Sequence, residues 1–367
     1  MAVFLLISSS ISLLLNKINK LDMKKQLCEP YLLIIVIATL YSILSYYYHG
    51  ASSREMRALI VTSLFLGCLY FQREHKDVLA IAILVGSLTV FSNSLYFHMF
   101  LGEGRHIGYI NPIPYSTICA VIGVVSYAFF LINANIAKKI IFLLSFILSI
   151  YPLIISQSRG VWLAFIVGLT ITSLIYLKSN KLSKKGIIGF ILITFAISSI
   201  GGYVLKDNIS DRVNKTLWEL SKIESGNLKS SIGLRLQMWS VTPKLIKENL
   251  IIGSGDKHQL IIEDLYKNGE ITKSLYKFNP THYHNQFLDK LVKSGVIGFF
   301  IFICIIVHPL TLIRRLSKNN KLIVYGVLSI YITASLSDVP FNHPQTLIIF
   351  LLILLPLCSK EANKNHD

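Results

Sequence analysis

The sequence predicts an all-α polytopic membrane protein of about eleven transmembrane helices with one large helical segment outside the bilayer. Three observations carry that prediction. Of 367 residues, 53% are hydrophobic, and they come in long blocks rather than the periodic stripes that one soluble core needs. The basic residues are spread unevenly about those blocks, as topogenic charge is. One polar stretch, 206–294, is too long for an ordinary connection and implies a small subdomain.

In chain order, the candidate spans are 2–16, 31–48, 58–71, 78–100, 115–134, 140–156, 161–177, 187–205, 295–311, 322–336 and 345–357, several short enough to need snorkelling flanks or local thinning of the bilayer. The first apolar run lacks a basic start and a small-residue cleavage site, so it reads as a retained span rather than a cleaved signal. Orientation follows from charge. If the loop holding Lys17, Lys20, Lys24 and Lys25 is cytoplasmic, the same side collects Arg73, Lys76, Lys138, Lys139, the Lys178–Lys185 run, Arg314–Lys321 and the tail, which is 18 of the 36 basic residues. The short loops opposite hold Arg54, Arg57, Arg105 and Arg159. The N-terminus then faces out and the C-terminus in. The expected organisation is 1–205 with eight spans, 206–294 as the external segment, and 295–367 with three spans and a short cytoplasmic tail.

The net charge of +17 is largely accounted for by topology, and no basic groove interleaved with aromatics suggests nucleic acid. The five cysteines lie in or beside spans and form neither a disulfide framework nor a zinc or redox pattern. A transporter would show internal repeats and broken or charged helices at mid-membrane, whereas the distinctive polar residues here cluster at the outer edge.

Within the external segment, Val213, Leu217, Leu220 and Ile223 recur at helical spacing over 211–225, as do Leu234, Met238, Val241 and Leu245 over 231–249. Both predict amphipathic helices able to lie on a membrane surface. Gly253, Ser254 and Gly255 break the pattern, and 256–267 forms another short helix. The most informative stretch follows, HNQFLDKLVKSGVIG from His284 to Gly298. Pro280 and Thr281 read as a helix start, and Phe287, Leu288, Leu291 and Val292 as an amphipathic helix that Gly295 interrupts before the next span. On such a helix His282 and His284 lie about 200° apart and cannot both face one reaction centre. On a strand the two rings would share a face and suggest zinc, but no third protein ligand is evident, so no metal and no cofactor is expected.

Several ordered motifs carry a resemblance. SQSRGVWL at Ser156–Leu163, the Gly-x-Arg of Gly233 and Arg235 in IGLRLQMW, NLIIGSG at Asn249–Gly255, and His284-Asn285 followed nine residues later by Gly-x-x-Gly together resemble the O-antigen ligase and polymerase superfamily. SLSDV at Ser335–Val339 and the context of Arg235 are more similar to ligases than to polymerases. The resemblance implies a GT-C-like glycosyltransferase bundle in the bacterial inner membrane, normally of twelve spans; a twelfth here would precede residue 1. It implies transfer of a finished polysaccharide from undecaprenyl pyrophosphate to a sugar hydroxyl of lipid A–core on the periplasmic face, without nucleotide sugar or metal. The alternative is an O-antigen polymerase, which uses the same donor and another lipid-linked chain as acceptor.

The residues suit that chemistry. A glycosyl pyrophosphate is already activated, so the enzyme must take the acceptor proton, steady an oxocarbenium-like centre and neutralise the departing diphosphate. The resemblance makes His284 the base, since an imidazole exchanges protons near neutrality. Arg159 and Arg235 would grip diphosphate through their planar forks, the rival readings being a snorkelling and a solvated arginine. Asp338, in the outer loop SLSDVPFNHP, orients a base or acceptor, or caps a helix. Arg105, His282, Asn285 and Trp239 complete the candidates as substrate-binding residues, Trp239 by stacking on sugar. No nucleophilic carboxylate motif is evident, which favours single displacement with inversion.

Overall fold

A computed structural model describes residues 28–68, 76–180 and 206–358. The spans expected at 2–16 and 187–205 lie outside them. Every regular element among the described residues is helical. Thirteen α-helices follow in order: α1 Pro30–His49, α2 Ser53–Cys68, α3 Lys76–Leu95, α4 Pro112–Ile132, α5 Ile136–Ile155, α6 Arg159–Asn180, α7 Lys206–Glu224, α8 Ser231–Glu248, α9 His258–Lys267, α10 Lys273–Phe278, α11 Gln286–Leu312, α12 Lys318–Ser335 and α13 Pro344–Cys358. Among the described residues, six stretches are long and apolar enough to cross a membrane, at α1, α3 with its following π-turn, α4, α5, α6 and α11. At about 1.5 Å per residue, twenty residues span the roughly 30 Å hydrocarbon layer. The shorter α2 and α13, and α12 with its polar start, overlap the expected spans at 58–71, 345–357 and 322–336, of which 69–71 lie outside the described residues.

Burial follows the pattern a membrane imposes. Leu33, Ile37, Leu40 and Leu44 lie exposed along α1, and Ile136, Ile140, Leu144 and Ile147 along α5, while Ser126, Ser145, Ser149 and Thr172 are buried. Aliphatic surface outside and small polar residues inside suit a lipid solvent, where close helix contact and interhelical hydrogen bonds replace the hydrophobic drive. The chain is thus a multi-pass membrane protein.

The described residues divide into two compact units, one of 28–68, 222–316 and 335–358, the other of 76–180, 206–221 and 317–334. The second is built around α4, most of whose residues are buried. Asn111 starts it by accepting from Ile113 N at 3.0 Å, with Pro112 at the first turn, where its missing N–H costs nothing. Ser126 and Ser145 hydrogen-bond at 2.8 Å between α4 and α5. A Cβ on Gly123 would meet Ser149 Oγ at 2.7 Å and Phe165 at 2.9 Å, so this glycine permits the close approach of α5 and α6.

The first unit holds α1, α2, the more polar helices α8 to α10, α11 and α13. The amphipathic pattern over 231–249 is realised as α8, whose Met238, Val241 and Leu245 pack with Ile262, Leu265, Leu275, Tyr283 and Val292 in one buried cluster. The helix foreseen over 256–267 is a 3₁₀ turn, Gly255–Lys257, leading into α9. The six-residue α10 has no counterpart in the sequence reading; Thr272 caps it by accepting from Leu275 N at 3.2 Å.

Gly295 breaks α11 as its sequence suggests, with φ 59° and ψ −166°, a conformation that is essentially glycine's alone. The broken turn does not leave its backbone groups unpaired. Ser254 N donates to Val292 O at 2.8 Å, Val296 N to Leu250 O at 2.9 Å and Ile297 N to Ile251 O at 3.2 Å. The NLIIGSG segment is therefore the backbone partner of the break, and a Cβ on either Gly253 or Gly295 would come within 2.5 Å of the other's backbone nitrogen.

Candidate functional site

The site is organised by the start of α11, which lies later than the sequence suggests. Asn285, not Pro280 or Thr281, is the N-cap, its side chain accepting from Phe287 N at 3.1 Å and Leu288 N at 3.2 Å. His282 and His284 precede the helix, and His284 has φ 47°, left-handed for a residue with a side chain. The helical separation of about 200° therefore does not apply. The two rings lie 4.3 Å apart at 62°, facing one carboxylate. His284 Nδ1 is 3.0 Å from Asp338 Oδ1, and His282 Nε2 is 4.0 Å from the same oxygen. On the other oxygen, Oδ2, stands His343 Nε2 at 4.0 Å.

Two further residues hold these loops in place. Asp289, 1% exposed, accepts from Tyr283 N at 3.1 Å through Oδ1 and from Asn342 Nδ2 at 2.5 Å through Oδ2. One buried carboxylate thus ties the 281–285 turn to the 336–343 loop. Gln286 does the same beside it, accepting from Phe341 N at 2.9 Å and donating to Asn342 Oδ1 at 2.8 Å. Tyr283, fully buried between the two histidines, is pinned at three points. Besides its N–H to Asp289, its carbonyl accepts from Trp239 Nε1 at 2.8 Å, and its hydroxyl meets His258 Nδ1 at 2.8 Å. With its backbone and ring held inward, the flanking imidazoles must turn outward together.

Electrostatics sets the protonation states. Burial by itself would raise the Asp338 carboxyl, but the His284 hydrogen bond and the charges of His284, His343 and His282 outweigh it and hold the group below the ordinary carboxylate range. Asp338 is therefore an ionised acceptor, which makes His284 Nδ1 the donor. Burial lowers His282 to about 4, with the neighbouring His284 adding to the effect. Burial likewise lowers His343 and His258, the latter to about 4. Burial also raises the Tyr283 hydroxyl. The arrangement gathers three imidazoles around one carboxylate, with burial holding His282 and His343 toward their neutral forms, and suits the handling of a proton.

The expectation that no third metal ligand accompanies the His-x-His pair is corrected by the same geometry. His282, His284 and Asp338 each present a ligand atom within 4.8 Å of the others. Asp338 is 54 residues from His284 in sequence, which hid it from a local reading.

The other candidates fall out as follows. Asn285 caps α11 and its Nδ2 lies 3.4 Å from Leu336 O. Trp239 is half-buried against the external core with its indole N–H committed to Tyr283. Arg235 is half-buried on α8 in the same unit. Arg105 and Arg159 belong to the second unit. There Arg105 Nε donates to Ser156 O at 3.0 Å. Arg159 donates to Thr216 Oγ1 at 2.8 Å and to the buried Glu219 Oε2 at 3.1 Å. Sequence reasoning missed His343, Asp289, Tyr283 and His258. His343 was within reach, five residues after Asp338 in the same loop, whereas Tyr283 and His258 carry no local signal.

Helical spans, exposed aliphatic stripes and a buried imidazole–carboxylate cluster beside a set of more polar helices define a membrane protein equipped for proton-transfer chemistry. Comparison with known proteins narrows the class. Residues 144–303 match the family model described as O-antigen ligase, a stretch that includes Arg159, Arg235, His282, His284 and Gly295 and ends before Asp338. A Haemophilus influenzae protein of uncharacterized role is 28% identical over 277 residues, covering 72% of this chain and 66% of that protein. A Rickettsia conorii protein provisionally named a polysaccharide ligase is 30% identical over 226 residues, covering 60% and 51%, and one from Rickettsia felis with the same provisional name is 28% identical over 207, covering 55% and 47%. The chain thus spans about half to two thirds of the length of the curated relatives it matches.

Proposed function

We propose that the protein is an O-antigen ligase that moves a polysaccharide from undecaprenyl pyrophosphate to a sugar hydroxyl of lipid A–core, at the periplasmic face of the bacterial inner membrane. The observation that carries the proposal is the 3.0 Å contact of His284 Nδ1 with Asp338 Oδ1, inside a chain whose family match is to ligases. Asp338 fixes the tautomer and supports the imidazolium that forms. His284 Nε2 accepts the acceptor hydroxyl's proton as that oxygen bonds the anomeric carbon, and the bond from that carbon to the diphosphate oxygen breaks with inversion. Arg235 and Arg159 neutralise the departing lipid diphosphate, Arg159 through a fork that also serves Glu219. His282, Asn285, Arg105 and Trp239 are assigned to binding or shaping the substrate sites. No metal takes part in the reaction.

The test is transfer in vitro by the purified protein, from lipid-linked glycan to lipid A–core, with chelator present. Product on lipid A–core supports a ligase, product on a second lipid-linked chain makes it a polymerase, and product on neither defeats the glycosyl-transfer reading. Loss of activity with chelator defeats the metal-free step. Reporter fusions complete it: those after Lys185 and Lys321 read cytoplasmic and one near Gly255 periplasmic, and a cytoplasmic Gly255 would remove the site from the lipid-linked substrates.

A further inference from the structure

We propose that His282, His284 and Asp338 also form a zinc-class metal site whose occupation switches transfer off. The inference rests on the assignment of His284 as the base, since a metal blocks the reaction by taking the imidazole that the reaction needs.

The ligand set is the first argument. Two imidazoles and a carboxylate suit zinc and its neighbours in the first transition row, whereas magnesium and calcium prefer all-oxygen shells. Geometry is the second. In a tetrahedral zinc site with bonds of about 2.0–2.1 Å, ligand atoms lie about 3.3–3.4 Å apart. Here the two distances to Asp338 Oδ1 are 3.0 and 4.0 Å, and no pair of ligand atoms exceeds 4.8 Å. Rotations of the two rings close the difference, and both rings stand on a turn ahead of α11 rather than in its helical frame. Access is the third, because His282 and His284 keep 28% and 18% of their side chains exposed while Asp338 keeps 6%.

The surroundings are built rather than accidental. Tyr283 fixes the backbone between the two histidines, Asp289 ties that turn to the loop of Asp338, and His343 stands on the second carboxylate oxygen. Partners of this kind hold ligands in orientation. Arg54 and Lys293 bring positive charge near the histidines and weaken the site, which suits a reversible inhibitor better than a permanent cofactor. Three protein ligands leave a fourth position to water.

The blocking step balances at the imidazole. His284 Nδ1 carries a proton toward Asp338, with its lone pair on Nε2. When zinc bonds Nδ1, the ring's one proton transfers to Nε2, where the acceptor hydroxyl would have delivered its own. The base becomes a donor, while His282 Nε2 and Asp338 Oδ1 also bond the metal and each new ligand displaces a water from it.

The experiment uses the full-length protein in detergent, stripped with chelator, dialysed and titrated with zinc sulfate against a chromophoric zinc indicator, with bound zinc counted by mass spectrometry. One zinc per chain is expected. Affinity should fall more than about tenfold in His282→Gln and in Asp338→Asn, since loss of an outer partner alone costs about 10–100-fold, and should not change in His98→Gln. X-ray absorption on the wild-type complex should show nitrogen and oxygen ligands at about 2.0–2.1 Å, a measurement that needs no variant to fold. Absence of stoichiometric zinc, binding that survives both variants, or a ligand shell without imidazole overturns the site. Transfer is then measured with and without zinc, each variant against its own zinc-free rate. Inhibition at the binding concentration, reversed by chelator and weakened in His282→Gln, supports the switch, and unchanged transfer with zinc bound overturns it. Stimulation by zinc would keep the site but defeat the metal-free base.

Discussion

Two buried carboxylates, one in each compact unit, show how the partner decides what an acid does. Glu219 faces Arg159 at 3.1 Å with Thr216 beside it. An arginine is permanently charged, so the pair is a fixed ion pair that holds α6 to α7. Asp338 faces three histidines, at 3.0, 4.0 and 4.0 Å. Its partners can each gain or lose a proton, so the same carboxylate becomes the anchor of a proton-handling cluster. Charge asymmetry in the sequence drew attention to Arg159, yet the structure gives it a carboxylate partner already, and any diphosphate it binds must share it.

The sharpest way to break the comparison is at the base. His284→Ala should lower transfer by about 10²–10⁴-fold, the usual contribution of general-base catalysis, while binding of the lipid-linked donor persists; full activity would move the base elsewhere. Next come the partners of that base. Asp338→Asn removes a hydrogen bond to a charged group, worth about 1.5–3 kcal/mol, and should slow transfer by about 10–100-fold. His282→Ala should slow it by about tenfold, because the ring shares the carboxylate rather than facing away along a helix; a rate within twofold of wild type would show the cluster to be a pair. Arg159→Lys tests the other region. It keeps a charge for Glu219 but loses the fork that also reaches Thr216, so the protein should accumulate normally while transfer falls about tenfold. Normal transfer by that variant would leave Arg159 a purely structural ion pair.

The smallest effect separates the two carboxylates by pH. His258 and His282 are lowered to about 4 by burial, so between that value and about 6.5 the unfolded chain binds protons that the fold refuses. Their contribution to stability is fully present above about pH 6.5 and is lost as pH falls toward 4. Asp338, held low, adds stability that disappears further down, as pH passes below the ordinary carboxylate range. The melting temperature of the purified protein should therefore drop between pH 7 and 4, and His282→Gln should make the drop shallower. An identical slope in that variant would mean that the ring is already protonated in the fold.

Much of the architecture was legible because it is written locally. Apolar blocks mark spans wherever they occur, and the described helices fall where the blocks lie. Gly295 was readable as an interruption, and Leu234, Met238, Val241 and Leu245 as one face of a helix. The failure at His282 and His284 was also local. Asn285 is a stronger cap than Pro280 or Thr281, and Asp289 in the first turn supports it; weighing those two residues would have put both histidines outside the helix. What no local pattern contains is the closure of the site, since Asp338 and His343 arrive from beyond both α11 and α12, and the bond between His258 and Tyr283 joins positions 25 residues apart.

The break at Gly295 has a mechanical meaning. A continuous α11 would act as a single lever, passing every tilt or vertical shift of its membrane half to the residues at its outer end. With the helix interrupted and residues 250–254 bonded across the gap, the half of α11 that carries Gln286 and Asp289 takes its direction from those bonds rather than from the other half. The turn that presents His282 and His284 is thus anchored on residues 250–254 as well as on the rest of α11.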